Sequence, residues 1–291
     1  MQPVNVVLDA RPIKLNKKML KQRLLTAIIL IPLIVWVLSL SSMILASVLS
    51  VFVVLGAWEW AGLCGWHTWK IRIVYATLTC LMLLMAYGFR QQPAMMLVLF
   101  VVCLWWLLAG LSLWRYQQGY EMILASPFPK AVLGFIILLS TFFALLHLHE
   151  HERYGGQWVM FLFVLIWAAD SSAYFMGKRW GKRKLADKIS PGKTWEGVLG
   201  ALLMSSIVSL SYALFKSMSF MTLLLFMLLC LLTVIVSILG DLLESVFKRQ
   251  VGIKDSSHIL PGHGGILDRI DSLTSAAPIF VMGLVSLGHL F

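Results

Sequence analysis

Phe220-Met-Thr-Leu-Leu-Leu-Phe-Met-Leu-Leu-Cys230-Leu-Leu-Thr-Val-Ile-Val-Ser-Ile-Leu-Gly240 runs for 21 residues without a charged side chain, and Asp241-Leu-Leu-Glu244-Ser245-Val-Phe-Lys248-Arg249 follows at once. A helix rises about 1.5 Å per residue, so this run matches the roughly 30 Å hydrocarbon core of a bilayer. Eight more segments of the same kind can be placed at 24–40, 43–63, 73–89, 94–114, 131–148, 158–176, 197–215 and 273–291. The pattern predicts an all-α fold, a polytopic transmembrane helical bundle of about nine spans.

The composition agrees. Of 291 residues, 60% are hydrophobic and 13% charged, and the mean hydropathy is +0.87, which excludes an ordinary soluble domain. Twelve Trp and sixteen Phe exclude a disordered chain. No internal repeat and no Pro-rich or Gly/Ser-rich linker divides the sequence, so residues 24–291 read as one integral membrane domain preceded by a basic segment, 1–23. That segment and the first span resemble a signal sequence without an A-x-A cleavage site, hence a retained signal-anchor. Cys64, Cys80, Cys103 and Cys230 are scattered through apolar stretches and read as small core hydrophobes.

The net charge of +11 has a topological reading. With the N-terminus in the cytoplasm, 21 of the 24 Lys and Arg fall on the cytoplasmic face; Arg90, Arg153 and Lys216 are the exceptions. This asymmetry removes the need for a nucleic-acid partner. It also puts the two longest polar loops, 177–196 and 241–272, on the side where nucleotides are.

The chemistry-bearing residues collect in those loops. Asp241, Glu244, Ser245 and Lys248 recur at i, i+3, i+4 and i+7, one face of a helix, and a carboxylate beside a hydroxyl and a cation suits a divalent metal with an anionic substrate. The competing reading is a solvated helix end with an internal Glu–Lys pair. Farther on, Gly264 and Gly265 permit close backbone approach to a ligand, with N–H groups turned toward phosphate oxygens. Asp268 and Asp271, at i and i+3 of the last helix, can join Asp241 around Mg²⁺, an oxygen-seeking ion. Arg269 is a natural phosphate fork. His263 is either a proton carrier or a loop histidine bonded to backbone. Asp170 is an ionisable residue within a span, and such residues are expensive unless they serve a site or glue two helices. In Ser190-Pro-Gly-Lys193-Thr194-Trp-Glu196 the Gly-Lys-Thr triplet fails as a P-loop, because Asp187 stands where the first glycine is required and no strand is expected before it. The Lys and Arg of 178–193 have a second explanation in topology and attraction to anionic lipid. Glu59, between Trp58 and Trp60, either supports the site or sits in the aromatic belt. His147, His149 and His151 lie at the opposite end and read as interfacial histidines.

Ser245-x-Phe-Lys-Arg-x4-Lys254-Asp255-x-Ser257-x2-Leu260-Pro261-x-His263-Gly-Gly-Ile-x-Asp268-Arg-Ile-Asp271, 27 residues long, resembles the signature of the phosphatidate cytidylyltransferases, or CDP-diacylglycerol synthases. Trp167-Ala-Ala-Asp170, Ser190-Pro-Gly-Lys-Thr-Trp-Glu-Gly197 and Ala57-Trp-Glu-Trp60 look like the same family, so the likeness covers nearly the whole chain. The resemblance implies attack of a phosphatidic acid phosphate on the α-phosphorus of CTP, giving CDP-diacylglycerol and diphosphate, with Mg²⁺ as cofactor and room for a second cation. It implies metal ligation by Asp241 and Asp268 with Asp271 close by. Lys248, Arg249, Lys254 and Arg269 match its cations, and Lys193 joins them in neutralising phosphate oxygens. His263 is carried among the catalytic candidates, while Asp170, Ser190, Thr194, Glu196, Ser245, Gly264 and Gly265 are substrate-binding candidates. The expected partners are CTP, phosphatidic acid and the bilayer, with a homodimer foreseen because some members are dimeric. The expected location is the bacterial inner membrane, with the site facing the cytoplasm. The alternatives are a CTP-dependent enzyme for another lipid, such as a polyisoprenol kinase, and a transporter. A CDP-alcohol phosphotransferase is excluded by the absence of its D-x2-D-G-x2-A-R and G-x3-D-x3-D pattern.

Overall fold

The structure, a computed structural model, describes residues 32–122, 124, 126–151, 155–259 and 264–288. Residues 32–38 are helical. After a turn at 39–41 come α1 (Ser42–Leu63), α2 (Trp69–Phe89), α3 (Ala94–Gln118), α4 (Pro127–His149) and α5 (Gly155–Trp180). A short antiparallel hairpin, β1 (Lys184–Ala186) and β2 (Ser190–Thr194), leads into α6 (Trp195–Phe215), α7 (Phe220–Gln250) and α8 (Leu267–Ser286). The all-α expectation holds, and seven of these helices, α1 to α7, are long and apolar enough to cross a membrane. The last expected span is α8, whose first two turns carry Asp268, Arg269 and Asp271 and lower its hydropathy below that of the others. The basic segment 1–23 and most of the first span lie outside the described residues.

Helix α4 is the axis of the bundle: 72% of its apolar window is buried, against 22% for α2 and α3, whose leucines and valines face outward as lipid-facing residues do. Helices α5 and α6 pack as one antiparallel pair and α7 and α8 as another, both against α4 or its neighbours. Close contacts fix which ends lie together. At one end Trp60 Nε1 donates to the Lys130 carbonyl at 2.8 Å, and Gln117 Nε2 donates to the Leu185 carbonyl at 3.1 Å. At the other, His149 contacts Ser42 Oγ at 2.9 Å and the Leu38 carbonyl at 3.0 Å, while Arg90 pairs with Glu150 at 2.6 Å. Those bonds give His149 a structural role at this end of the bundle. An aromatic cluster of Trp158, Phe161, Tyr212, Phe226 and Phe280 fills the core between α5, α6, α7 and α8.

Two boundaries differ from the sequence expectation, and both shorten the loops. Helix α7 does not stop at Gly240 but continues to Gln250, 31 residues or about 46 Å, well beyond the thickness of the hydrocarbon core. Lys248 and Arg249 in its last turn oppose the negative end of the helix dipole, and the apolar side chains Leu242, Leu243, Val246 and Phe247 are buried. Between α5 and α6 the expected loop is instead the hairpin, so a strand does precede Gly192-Lys193-Thr194 and the triplet itself lies in β2. Buried Ala186 and Ile189 anchor this hairpin to the bundle.

Candidate active site

The continuation of α7, the start of α8, the hairpin and the end of α1 converge at one end of the bundle. The face foreseen on α7 is real, but it is not a solvated helix end: Glu244 is 4% and Lys248 8% exposed. Lys248 Nζ lies 2.6 Å from Asp268 Oδ1 and 3.4 Å from Glu244 Oε2, so one ammonium joins α7 to α8. Asp268 Oδ2 accepts from Gly265 N at 2.8 Å and Ser256 N at 2.9 Å, and it shares the single Ser256 Oγ proton, 3.0 Å away, with Glu59. Asp268 precedes the apolar part of its helix. Burial by itself would raise this carboxyl above the ordinary carboxylate range, and the Lys248 ammonium with the Gly265 and Ser256 N–H groups more than reverses that, holding it below.

Asp241, one turn before Ser245, pairs with Lys193 of β2 at 2.5 Å, and Ser245 Oγ donates to it at 3.4 Å. Asp170 of α5 lies within electrostatic range of both Asp241 and Lys193. Asp271, one turn along α8 from Asp268, is in side-chain contact with Glu244. Apart from the Lys248 ammonium and the Asp271 carboxyl, the Glu244 oxygens meet no hydrogen-bond partner among the described residues, and the buried indole N–H of Trp106 has no acceptor there. Glu244, Asp271 and Trp106 line a small cavity of about 10 Å³, the size of one water-sized sphere.

The glycines pack inward. Gly264 adopts φ +81°, a left-handed conformation that disfavours a side chain, and a Cβ there would stand 2.7 Å from Asp268 Oδ2. A Cβ on Gly265 would run into Ser256 Oγ and the Glu59 carboxylate. The Gly265 N–H, expected to face a phosphate, is directed at Asp268 in this structure.

Several sequence candidates stand apart from this cluster. Thr194 caps α6, its Oγ1 accepting from Gly197 N at 3.1 Å. Glu196 accepts from the backbone N–H groups of Lys182 and Arg183 at 3.1 and 3.2 Å, closing the base of the hairpin. Ser190 starts β2, opposite Ala186. Arg249 donates to the Ile253 carbonyl at 3.1 Å, and Lys254 and Arg269 are exposed around the rim. His263 lies outside the described residues.

Sequence reasoning undervalued two residues. Glu59 is 1% exposed and accepts four hydrogen bonds, from Ser257 Oγ (2.5 Å) and Ile266 N (3.0 Å) on Oε1 and from Leu267 N (2.8 Å) and Ser256 Oγ (2.9 Å) on Oε2. Its single signal was a carboxylate embedded in an apolar span. Ser256 had none; it bridges Glu59 and Asp268.

The cluster sets six carboxylates, Glu59, Asp170, Asp241, Glu244, Asp268 and Asp271, near two ammonium groups, Lys193 and Lys248. Among the described residues no group of three His, Cys, Asp or Glu forms a ready metal shell. The donor chemistry nevertheless fits a hard divalent cation: every acidic group offers oxygen, and buried Glu244, with the Lys248 ammonium 3.4 Å from Oε2, has lone pairs to spare. Excess negative charge held away from water favours cation uptake.

The model of the cytidylyltransferase family matches residues 21–287. The chain is 42% identical over 273 residues to the phosphatidate cytidylyltransferase of Pseudomonas aeruginosa, covering 93% of this chain and 98% of that one. It is 38% identical over 280 residues to that of Haemophilus influenzae, covering 90% and 97%. To that of Bacillus subtilis it is 36% identical over 177 residues, covering 57% and 64%.

Proposed function

Because the chain belongs to the cytidylyltransferase family, we propose that it transfers the cytidylyl group of CTP to phosphatidic acid, forming CDP-diacylglycerol and diphosphate in phospholipid biosynthesis. It is an integral membrane nucleotidyltransferase. A phosphate oxygen of phosphatidic acid attacks the α-phosphorus of CTP, and the bond from that phosphorus to the oxygen of the departing diphosphate breaks. A phosphate monoester is anionic at neutral pH, so the nucleophile needs little help from a general base. The difficulty is to bring two polyanions together and to stabilise charge on the leaving diphosphate, work suited to fixed cations.

The observation that carries the reading is the buried junction of α7 and α8, where one ammonium, Lys248, lies between Asp268 and Glu244 and Asp271 packs against Glu244. Asp241, Asp268 and Asp271, joined by Glu244, would hold Mg²⁺. When bound, that ion neutralises phosphate oxygens and eases departure of diphosphate. Lys193 and Lys248, each on a carboxylate in the structure, are placed to transfer their charge to phosphate oxygens as substrate arrives. Arg249, Lys254 and Arg269 on the rim gather the triphosphate, and Asp170, on the exposed face of α5, borders the nucleotide. The acceptor keeps its acyl chains in the bilayer, so the headgroup enters from the membrane side. The site faces the cytoplasm of a bacterial inner membrane, on the charge asymmetry of the sequence.

Labelled CTP separates this function from lipid kinase activity. Label on the α-phosphate is expected in the lipid product and label on the γ-phosphate in diphosphate. A lipid carrying the γ-label, with CDP as coproduct, would replace the proposal by a kinase.

A further inference from the structure

We infer that Glu59 is a positioning residue for the reaction, setting the carboxylate of Asp268 from a different helix. The inference deepens the function proposed above and rests on it. Glu59 lies near the end of α1, almost two hundred residues before the loop it holds, and it touches none of the groups assigned to substrate except through Ser256, Gly265 and the helix start. Its two oxygens divide four donors evenly, each taking one serine hydroxyl and one backbone N–H.

The backbone pair explains why a carboxylate is required. Helix α8 begins at Leu267, and its N-cap, Ile266, has no side chain able to accept a hydrogen bond. The first N–H groups of any helix lack intrahelical partners, and the positive end of its dipole favours an anion. Glu59 supplies that anion from α1, taking the Ile266 and Leu267 N–H groups. Asp268 is the next residue. Its Oδ2 shares Ser256 Oγ with Glu59 Oε2, so a displacement of Glu59 is transmitted by both the helix start and the serine. Beyond Asp268 the chain of contacts continues to Lys248 and Glu244. The missing side chain of Gly265 leaves the space in which this junction forms.

A plain structural staple and a positioning residue differ in their kinetic signature. For Glu59→Gln, an amide N–H₂ group faces a backbone donor, and Asp268 loses its placement. We expect kcat to fall on the order of 10- to 100-fold, the scale of small displacements of reacting groups, while KM for CTP stays within about twofold. Ser256→Ala should lower kcat in the same direction, and the double variant should lose less than the product of the two separate losses, because Ser256 is one of the two routes by which Glu59 reaches Asp268. Glu59→Asp, which keeps the charge, should recover part of the loss. Hydrogen exchange of the detergent-purified protein gives a readout free of activity: peptides containing Ile266 and Leu267 should exchange faster in Glu59→Gln, while those of α4 stay unchanged. If Glu59→Gln does not fold, Ser256→Ala carries the kinetic test. Wild-type kcat per folded molecule in these variants would overturn the inference, and so would unchanged exchange at Ile266 and Leu267. Absence of CTP turnover in the wild type would instead count against the proposed function.

Discussion

Asp268 receives the Lys248 ammonium on Oδ1 and the Gly265 and Ser256 donors on Oδ2, so both oxygens are oriented and Oδ1, with one ammonium, is the one left able to take a cation. Asp268→Asn keeps the shape but removes the charge and points an N–H₂ group at a donor. Turnover should drop by at least about 100-fold, a loss typical of removing a preorganised charge from an active site, while the protein still elutes as a folded species in detergent. Full activity would remove Asp268 from the site. Lys184→Ala is the contrasting case, since the Lys184 ammonium is exposed and donates to the Pro191 carbonyl within the hairpin; its kcat/KM should stay within about twofold of the wild type. Local spacing made Asp241, Glu244, Ser245 and Lys248 legible in the sequence, because i, i+3, i+4 and i+7 define a helix face without reference to tertiary structure. Their burial was not legible, since it depends on what α8 and the hairpin bring over them. Glu59 and Ser256 meet across 197 residues of chain, and no local pattern records that meeting.

Elements position these residues through their ends. Thr194 caps α6 where β2 delivers Lys193 to Asp241, so the cap and the ion pair share one junction. Thr194→Ala should cost about 1 kcal/mol of stability, the ordinary value of an N-cap, read as a lower thermal midpoint in detergent. No shift in that midpoint would show that the cap contributes nothing. The α1–α8 junction tolerates less. In Gly265→Ala the added Cβ collides with Ser256 Oγ and the Glu59 carboxylate, so the loop must move, and activity should fall even where the protein remains folded. Wild-type activity in that variant would mean the junction is looser than the geometry indicates. At this scale the apolar runs revealed the helices but not their limits. Helix α7 outlasts its apolar run because its polar residues find partners on α8, and the hairpin was hidden in a lysine-rich segment that composition alone reads as a loop.

Across the whole molecule, charge separates the two ends of an apolar bundle, and the candidate site belongs to the basic end. In a variant whose four cysteines are replaced, Lys184→Cys should react with a membrane-impermeant maleimide only after cells are permeabilised, whereas His151→Cys should react in intact cells. The reverse pattern would place the site outside. One-sided clustering of the acidic residues also distinguishes an enzyme at a membrane surface from a transporter, which needs ionisable groups along a path to both faces. The central claim is that this cluster joins a nucleotide to a lipid phosphate with the aid of a divalent cation. Its most direct test is diphosphate release from CTP by the detergent-purified protein, with and without phosphatidic acid and with Mg²⁺ or EDTA. Release that needs both the lipid and Mg²⁺, matched by CDP-diacylglycerol, is the predicted result; no release with both present, or equal release without the lipid, would contradict it.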